Sequence, residues 1–209
     1  AVQRRDDEPV AGGGDEQRSL KAMDAVMAEL VDPDQHIVRL FTPPLERTSQ
    51  DPGYIKAYPP GVRENGGQYT HAATWVALAF AEQGRAEEAW RVFQMLNPVS
   101  HAGSREAAEH YRVEPYVVAA DIYGEGDLAG RGGWTWYTGS AGWLYRVGIE
   151  GILGIRRQGD KLVIRPVLPA AWDGYSAEVT LNGARHKISV QRDQKSGEPI
   201  VSINNSVTK

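Results

Sequence analysis

Five side chains able to bind a ligand or handle a proton fall within nine positions: Arg63, Glu64, Asn65, Gln68 and His71, inside the stretch YPPGVRENGGQYTHAATW (58–75). A Pro-Pro pair stiffens the entry, a double glycine interrupts the cluster, and an apolar helical run begins at once. A polar loop that feeds a helix is a place where backbone N–H groups, the helix dipole and charged side chains can converge on one ligand. The same residues also describe a turn and a capped helix in which His71 is an ordinary buried histidine, and short motifs often match by chance. On this stretch alone both readings stand.

A second stretch, GRGGWTWYTGSAGW (130–143), places Thr138 and Gly139 just before an apolar helical segment. A hydroxyl and free backbone N–H groups then face a common spot, which is an anion cradle and suits phosphate. The plainer alternative is a Gly-rich turn in which Ser140 is the helix N-cap. In EPYVVAAD (114–121), Glu114 can contact a ligand or can sit at a helix start where acids are stabilised. Trp134, Trp136 and Trp143 fit a core, but a Gly-flanked Trp pair in a loop also suits the wall of a cleft. His36, His101, His110 and His186 have no partner pattern and are read as structural or exposed.

The elements that must position these residues follow from periodicity and punctuation. Residues 1–18, with mixed charge and a Gly triplet, read as a flexible lead-in. Ser19 can cap a helix whose apolar positions Leu20, Met23, Val26, Met27 and Leu30 recur at helical spacing and which stops by Asp32-Pro33. A short β-like run, HIVRLFTPP (36–44), and a polar loop lead to the first motif. From Thr70 or His71 a helix runs to Gly84, and a second runs from Arg85 to Asn97-Pro98, so the two predict an antiparallel hairpin. Residues 104–110 predict a short helical piece, Pro115 opens a helix through Ile122, and a further helix starts near Ser140. Beyond residue 150 the pattern changes to alternating strands, with turns at Gln158-Gly159-Asp160, Asn182-Gly183 and Ser196-Gly197.

Composition removes several classes of function. A net charge of −4 leaves no basic excess for a non-specific nucleic-acid or anionic-membrane surface. The absence of cysteine excludes disulfides, thiolate catalysis and Cys-based zinc sites. No metal-ligand spacing is present. No apolar run reaches the roughly eighteen residues that a spanning helix needs, and no secretory signal pattern opens the sequence. Six Trp and nine Tyr against three Phe favour aromatics with a polar handle, which suit sugar stacking as well as cores.

Taken together, ENGGQYTH, EPYVVAAD and GGWTWYTGSAGW followed by ILGIRRQGDKLVIRPVLP resemble the C-terminal end of glycoside hydrolase family 94, the inverting disaccharide and oligosaccharide phosphorylases. The longer wording GYIKAYPPGVRENGGQYTHAATW and GRGGWTWYTGSAGWLYR is most similar to the phosphorylase-like domain of cyclic β-1,2-glucan synthetases. The resemblance runs from about Leu20 to Trp172. It implies part of an (α/α)6 barrel over residues 19–150 and an antiparallel, sandwich-like β piece over 151–209. It implies that His71, Thr138 and Gly139 hold phosphate, and that Glu64 contacts sugar hydroxyls near the scissile bond. Arg63, Gln68, Glu114 and Trp136 are the further substrate-binding candidates.

Two departures from the family pattern stand out. Ala120 occupies a place where cellobiose phosphorylase-like members are expected to have glutamine. The family's general-acid aspartate, in a GDWND-like motif expected upstream, has no counterpart here, so no catalytic residue is assigned to this chain. The expected function is that of a fragment of a β-glucan phosphorylase or glycosyltransferase domain that uses inorganic phosphate as co-substrate, with no cofactor and no metal. Expected partners are a β-glucan, phosphate, and either the rest of a larger parent chain or a second copy, with no nucleic acid and no membrane contact. The expected setting is cytoplasmic, with a parent protein that can be anchored in the inner membrane. A non-catalytic carbohydrate-binding or scaffold module derived from the same fold is the alternative. A helical-hairpin interaction module, the third reading, lacks the repeat period it would need.

Overall fold

The structure, a computed structural model, describes residues 15–46 and 51–204 and the backbone of 206–207. Most of the expected lead-in lies outside the described residues, but its last part is ordered as helix. Helix α1, Glu16–Ala25, begins four residues before the predicted start, because Asp15 rather than Ser19 caps it by accepting from the N–H groups of Gln17 and Arg18. A π-helical turn, Val26–Leu30, extends it. The chain then turns through Asp32-Pro33, so strand β1, Val31–Asp32, pairs with β2, Ile37–Val38. The Asp32 carboxylate closes that turn by accepting from the N–H groups of Asp34 and Gln35, both at 3.0 Å.

A 3₁₀ turn, Gly53–Ala57, leads to strand β3, Gln68–Tyr69, and directly into helix α2, Thr70–Glu82. Gly84, at φ +72°, reverses the chain as predicted, and helix α3, Ala86–Leu96, packs back on α2. Helices α4, Pro98–His101, and α5, Arg105–Tyr111, follow, capped by the side chains of Asn97 and Ser104.

The predicted helix from Pro115 to Ile122 does not form. Glu114 and Pro115 make a turn, with Val117 N–H bonded to Glu114 C=O, and the chain then runs extended into strand β4, Asp121–Ile122. Its backbone bonds across the chain instead of along a helix: Ala120 N–H donates to Trp134 C=O, Thr70 N–H donates to Ala120 C=O, and β4 pairs with β3. Those cross-chain partners outweigh the local helical preference of VVAA.

Helix α6, Thr138–Arg146, starts two residues earlier than expected and continues as a π-helical segment, Val147–Ile152. Strands β5, Ile155–Gln158, and β6, Lys161–Ile164, form a hairpin on the predicted turn. Strands β7, Gly174–Leu181, β8, Ala184–Arg192, β9, Pro199–Ile203, and β10, Ser206–Val207, make one antiparallel sheet in the order β10-β9-β8-β7. Asn182 and Gly183, both at positive φ, form the tight β7–β8 turn that the Asn-Gly pair predicts.

Helix and small antiparallel sheets are thus mixed in one body. A continuous core joins Ala77 and Phe80 of α2, Val92 and Leu96 of α3 and Leu144 of α6 to Ile155, Leu162, Ile188 and Val190 of the strands. Trp90 of α3 meets Trp172 edge to face at 4.9 Å, and the Tyr175 hydroxyl donates to Leu153 C=O, so aromatic residues fasten the strands to the helices.

A smaller cluster of Ile37, Tyr111, Ala119 and Ile122 lies beneath the β3–β4 pair. There His101 stacks on Tyr111 at 4.6 Å and donates from Nε2 to Met95 C=O. Burial holds the His101 imidazole below its ordinary value; the Met95 carbonyl opposes this and the charge of His36 adds to it. The unfolded chain therefore binds this proton more readily than the folded one, so this group's contribution is full above about pH 6.5 and is lost as pH falls through that value. Urea midpoints measured from about pH 8 to pH 5 are expected to fall below about pH 6.5. His101→Phe, which keeps the ring stack, should lose that part of the slope.

Candidate functional site

His71 is the second residue of α2, and its location is set before the helix begins. Gln68, fully buried, accepts from Val38 N–H through Oε1 at 2.9 Å and donates through Nε2 to Thr70 Oγ1 at 3.1 Å. Both ends of its amide are occupied, so Gln68 fixes the strand-to-helix passage from inside the core. The His71 ring packs edge-on to Trp75 at 5.1 Å and beside Trp143 at 6.2 Å. Its other neighbour is the backbone of Gly139, where a Cβ would stand 3.3 Å from Nδ1. Nε2 is buried and has no hydrogen-bond partner among the described residues. An unpaired buried ring nitrogen is costly, and such a group calls for a specific explanation.

The start of α6 faces that ring. Its N-cap, Tyr137, makes no side-chain cap hydrogen bond, and Ser140 does not take over that role: the Ser140 hydroxyl donates back to Tyr137 C=O at 3.2 Å. The first N–H groups of a helix have no acceptor within it, and the dipole there favours an anion. Tyr69, His71, Ala120 and the run from Trp136 to Ser140 enclose an open pocket of about 300 Å³. The structure thus brings His71 to one cavity with Trp136, Thr138 and Gly139, from which it is distant in sequence.

Arg63 and Glu64 occupy the turn before β3. Asn65, fully buried, holds that turn by accepting from Leu45 N–H and donating to Tyr58 C=O. Arg63 Nε and Glu64 Oε2 lie 3.8 Å apart, an ion pair without a hydrogen bond, and among the described residues neither of these buried atoms has a hydrogen-bond partner. Burial works against the Arg63 charge, yet Asp121, then Tyr58 and Glu64, hold it above its ordinary value. Asp121 is only 1% exposed and accepts from Trp134 N–H at 3.0 Å. Burial pushes its carboxyl up, with the Trp134 N–H and Arg63 pulling the other way.

Trp136 sits at φ +65° and is 66% exposed, and its indole N–H donates to Glu114 Oε1 at 3.0 Å. Glu114 is therefore placed outside the pocket wall, as the partner of a wall residue. Hydrogen bonds from its own backbone N–H and from Trp136 lower its pKa. Trp134 and Tyr137 are also exposed beside it, which gives the rim an aromatic character.

Sequence reasoning passed over Tyr69, Tyr137 and Asp121. Tyr69 and Tyr137 stand directly before the two helix starts, and that position was the available signal. Asp121 becomes visible only once β4 replaces the predicted helix.

Set beside known proteins, the helical body and the antiparallel strands that follow it match two family profiles in succession. The profile of the Glycosyl hydrolase 94 superfamily, catalytic domain, matches residues 8–154, and that of the Glycosyl hydrolase family 65, C-terminal domain, matches residues 155–196. The chain belongs to the glycosyl hydrolase 94 superfamily. It is 81% identical over 200 residues to cyclic beta-(1,2)-glucan synthase NdvB of Rhizobium meliloti (strain 1021), a match that covers 96% of this chain and 7% of that protein. It is 33% identical over 195 residues to the N,N'-diacetylchitobiose phosphorylase of Vibrio furnissii, covering 93% of this chain and 24% of the relative. Likeness to the 1,2-beta-oligoglucan phosphorylase of Listeria innocua is 28% over 134 residues, covering 57% of this chain and 12% of the relative. The chain therefore spans a quarter or less of the length of these relatives. Among the described residues, no helix is long and apolar enough to cross a membrane.

Two glycines of α6 separate the His71 contact from helix propensity. A Cβ at Gly142 meets nothing within 4 Å, so Gly142→Ala should stabilise the chain by about 0.5–1 kcal/mol. A Cβ at Gly139 presses on the His71 ring, so Gly139→Ala should forfeit that gain and lose stability relative to Gly142→Ala. Urea unfolding of both variants, with the imidazole NMR signals of His71 followed alongside, checks this; equal gains with unmoved His71 signals contradict the contact.

Proposed function

We propose that this chain supplies the phosphate-binding and part of the sugar-binding apparatus of an inverting glycan phosphorylase or glycosyltransferase domain acting on a β-glucan, with β-1,2 linkage. The observation that carries the reading is His71, whose ring Nε2 is buried with no hydrogen-bond partner among the described residues and which lines a pocket together with the uncapped start of α6. Likeness to a cyclic β-1,2-glucan synthase and to several phosphorylases supports the choice of glucan and phosphate. In this reading the helices form part of an (α/α)6 barrel completed by other segments of a longer protein, which also supply the general acid.

Phosphate lies in the cradle of His71, Thr138 and the Gly139 N–H, held in line with the anomeric carbon. One of its oxygens forms the new bond to that carbon as the glycosidic C–O bond breaks on the opposite face. The departing oxygen takes its proton from the general acid, and the product is a sugar 1-phosphate of inverted configuration. Phosphate is already an anion, so no base is needed, and the chain's work is positioning and electrostatic stabilisation. Glu64 accepts from sugar hydroxyls beside the reacting carbon, with its charge balanced by Arg63. Trp136 offers its face to a sugar ring, steadied by Glu114.

Replacing His71 by Ala in the full-length enzyme should slow phosphorolysis by roughly 10²- to 10³-fold, the loss expected for one preorganised donor at developing charge. The defect should appear in the constants for phosphate, with glucan binding and melting temperature unchanged. A lowered melting temperature with both substrates weakened alike would assign His71 to the core instead. The isolated chain of 209 residues is expected to release no glucose 1-phosphate from β-1,2-glucooligosaccharides, and detectable release by the purified chain contradicts the division of labour proposed here.

A further inference from the structure

A histidine that serves an anion must present one ring nitrogen at a set angle, yet the torsion that turns a histidine ring is intrinsically broad. Nε2 of His71 has no hydrogen-bond partner among the described residues to stop that rotation. Nδ1 lies on the side of Gly139, where a Cβ would stand 3.3 Å away. The ring also meets two indoles, Trp75 at 5.1 Å and Trp143 at 6.2 Å. Trp75 and Trp143 in turn meet edge to face at 5.7 Å, so the three rings pack pairwise. Trp75 follows His71 by four residues on α2, and Trp143 follows Gly139 by four on α6, so each pair shares one face of its helix. Trp143 is thus the ring that carries α6 onto His71 one turn beyond the phosphate cradle. It is itself held in place: the Arg146 guanidinium covers it at 4.5 Å, and Glu150 accepts from Arg146 Nη2 at 2.8 Å. Among the described residues, the part of α6 that lines the pocket ends at Ser140, short of Trp143.

We propose that Trp143 is a positioning residue: its indole, packed against both His71 and Trp75, fixes the tilt of the imidazole and its spacing from the first turn of α6, and so the aim of Nε2 at phosphate. The proposal rests on the function given in the preceding section. Trp143 itself touches no substrate; it acts through His71. Its loss should therefore weaken the use of phosphate and leave the sugar half of the site as it was.

The test is a mutant cycle in the full-length enzyme with Trp143→Leu, His71→Ala and the double variant, and with Trp143→Phe as the conservative change. Trp143→Leu is expected to lower kcat/KM for phosphate by roughly tenfold, the upper end of what one aromatic pair is worth, with KM for glucan unchanged. Trp143→Phe keeps a ring against both neighbours and should recover most of that loss. In the His71→Ala background Trp143→Leu should cost nothing further, because its effect passes through the imidazole. Losses that add in the double variant, an unchanged kcat/KM for phosphate in Trp143→Leu, or KM values that rise alike for phosphate and glucan would each overturn the proposal. So would a Trp143→Phe enzyme as impaired as Trp143→Leu, or a Trp143→Leu enzyme that fails to fold, since the indole would then serve the core. His71→Ala alone judges the function proposed above, which falls if that variant keeps the phosphate constants of the unaltered enzyme. A loss in His71→Ala with none in Trp143→Leu overturns only the role of Trp143.

Discussion

A pair of two-residue strands carries the arrangement of the whole site. Gln68-Tyr69 and Asp121-Ile122 lie side by side in antiparallel register, and the next backbone bond, Thr70 N–H to Ala120 C=O, continues the pairing into the first residue of α2. The loop containing Trp134 joins from the other side through Ala120 N–H. Residues about fifty positions apart are thereby held to hydrogen-bond tolerance, on the order of a few tenths of an ångström. Every element that lines the pocket is either part of this ladder or begins directly from it.

So short a ladder would not be stable alone. Its support comes from beneath, where Ile37, Tyr111, Ala119 and Ile122 are buried together, and from the Gln68 amide, which joins it to β2. Buried amides in this position are valuable because both their donors and acceptors are used; a partly satisfied one would be a net cost. The site therefore has a split character. The Gln68 and Asn65 amides beneath it are hydrogen-bonded, whereas Nε2 of His71, Nε of Arg63 and Oε2 of Glu64 are buried without hydrogen-bond partners among the described residues.

Much of this was legible in the sequence. The α2–α3 hairpin, the strand turns at Gly159 and Gly183, and the gathering of His71, Thr138 and Gly139 at helix starts follow from periodicity and from glycine and proline placement. Two features were not. VVAA before Asp121 reads as helix because local propensity favours it, and only long-range partners at Trp134 and Thr70 overrule that preference. Gln68 and Asn65 read as ligand-facing because polar residues in a motif invite it. Their full burial and their bonds to Val38, Leu45 and Tyr58 depend on chain segments whose approach no local pattern records. The aromatic rim lies between these cases: its composition was visible, while the left-handed backbone of Trp136 was not.

The packing of His71 has an optical consequence. Its ring packs against both Trp75 and Trp143, whose own centroids are 5.7 Å apart, and Arg146 covers the face of Trp143 at 4.5 Å. Indole emission is sensitive to a cation or a proton donor in van der Waals contact. Any event that changes the charge or tilt of the imidazole is therefore written into the fluorescence of two neighbouring chromophores, with no label added. The pocket carries its own gauge.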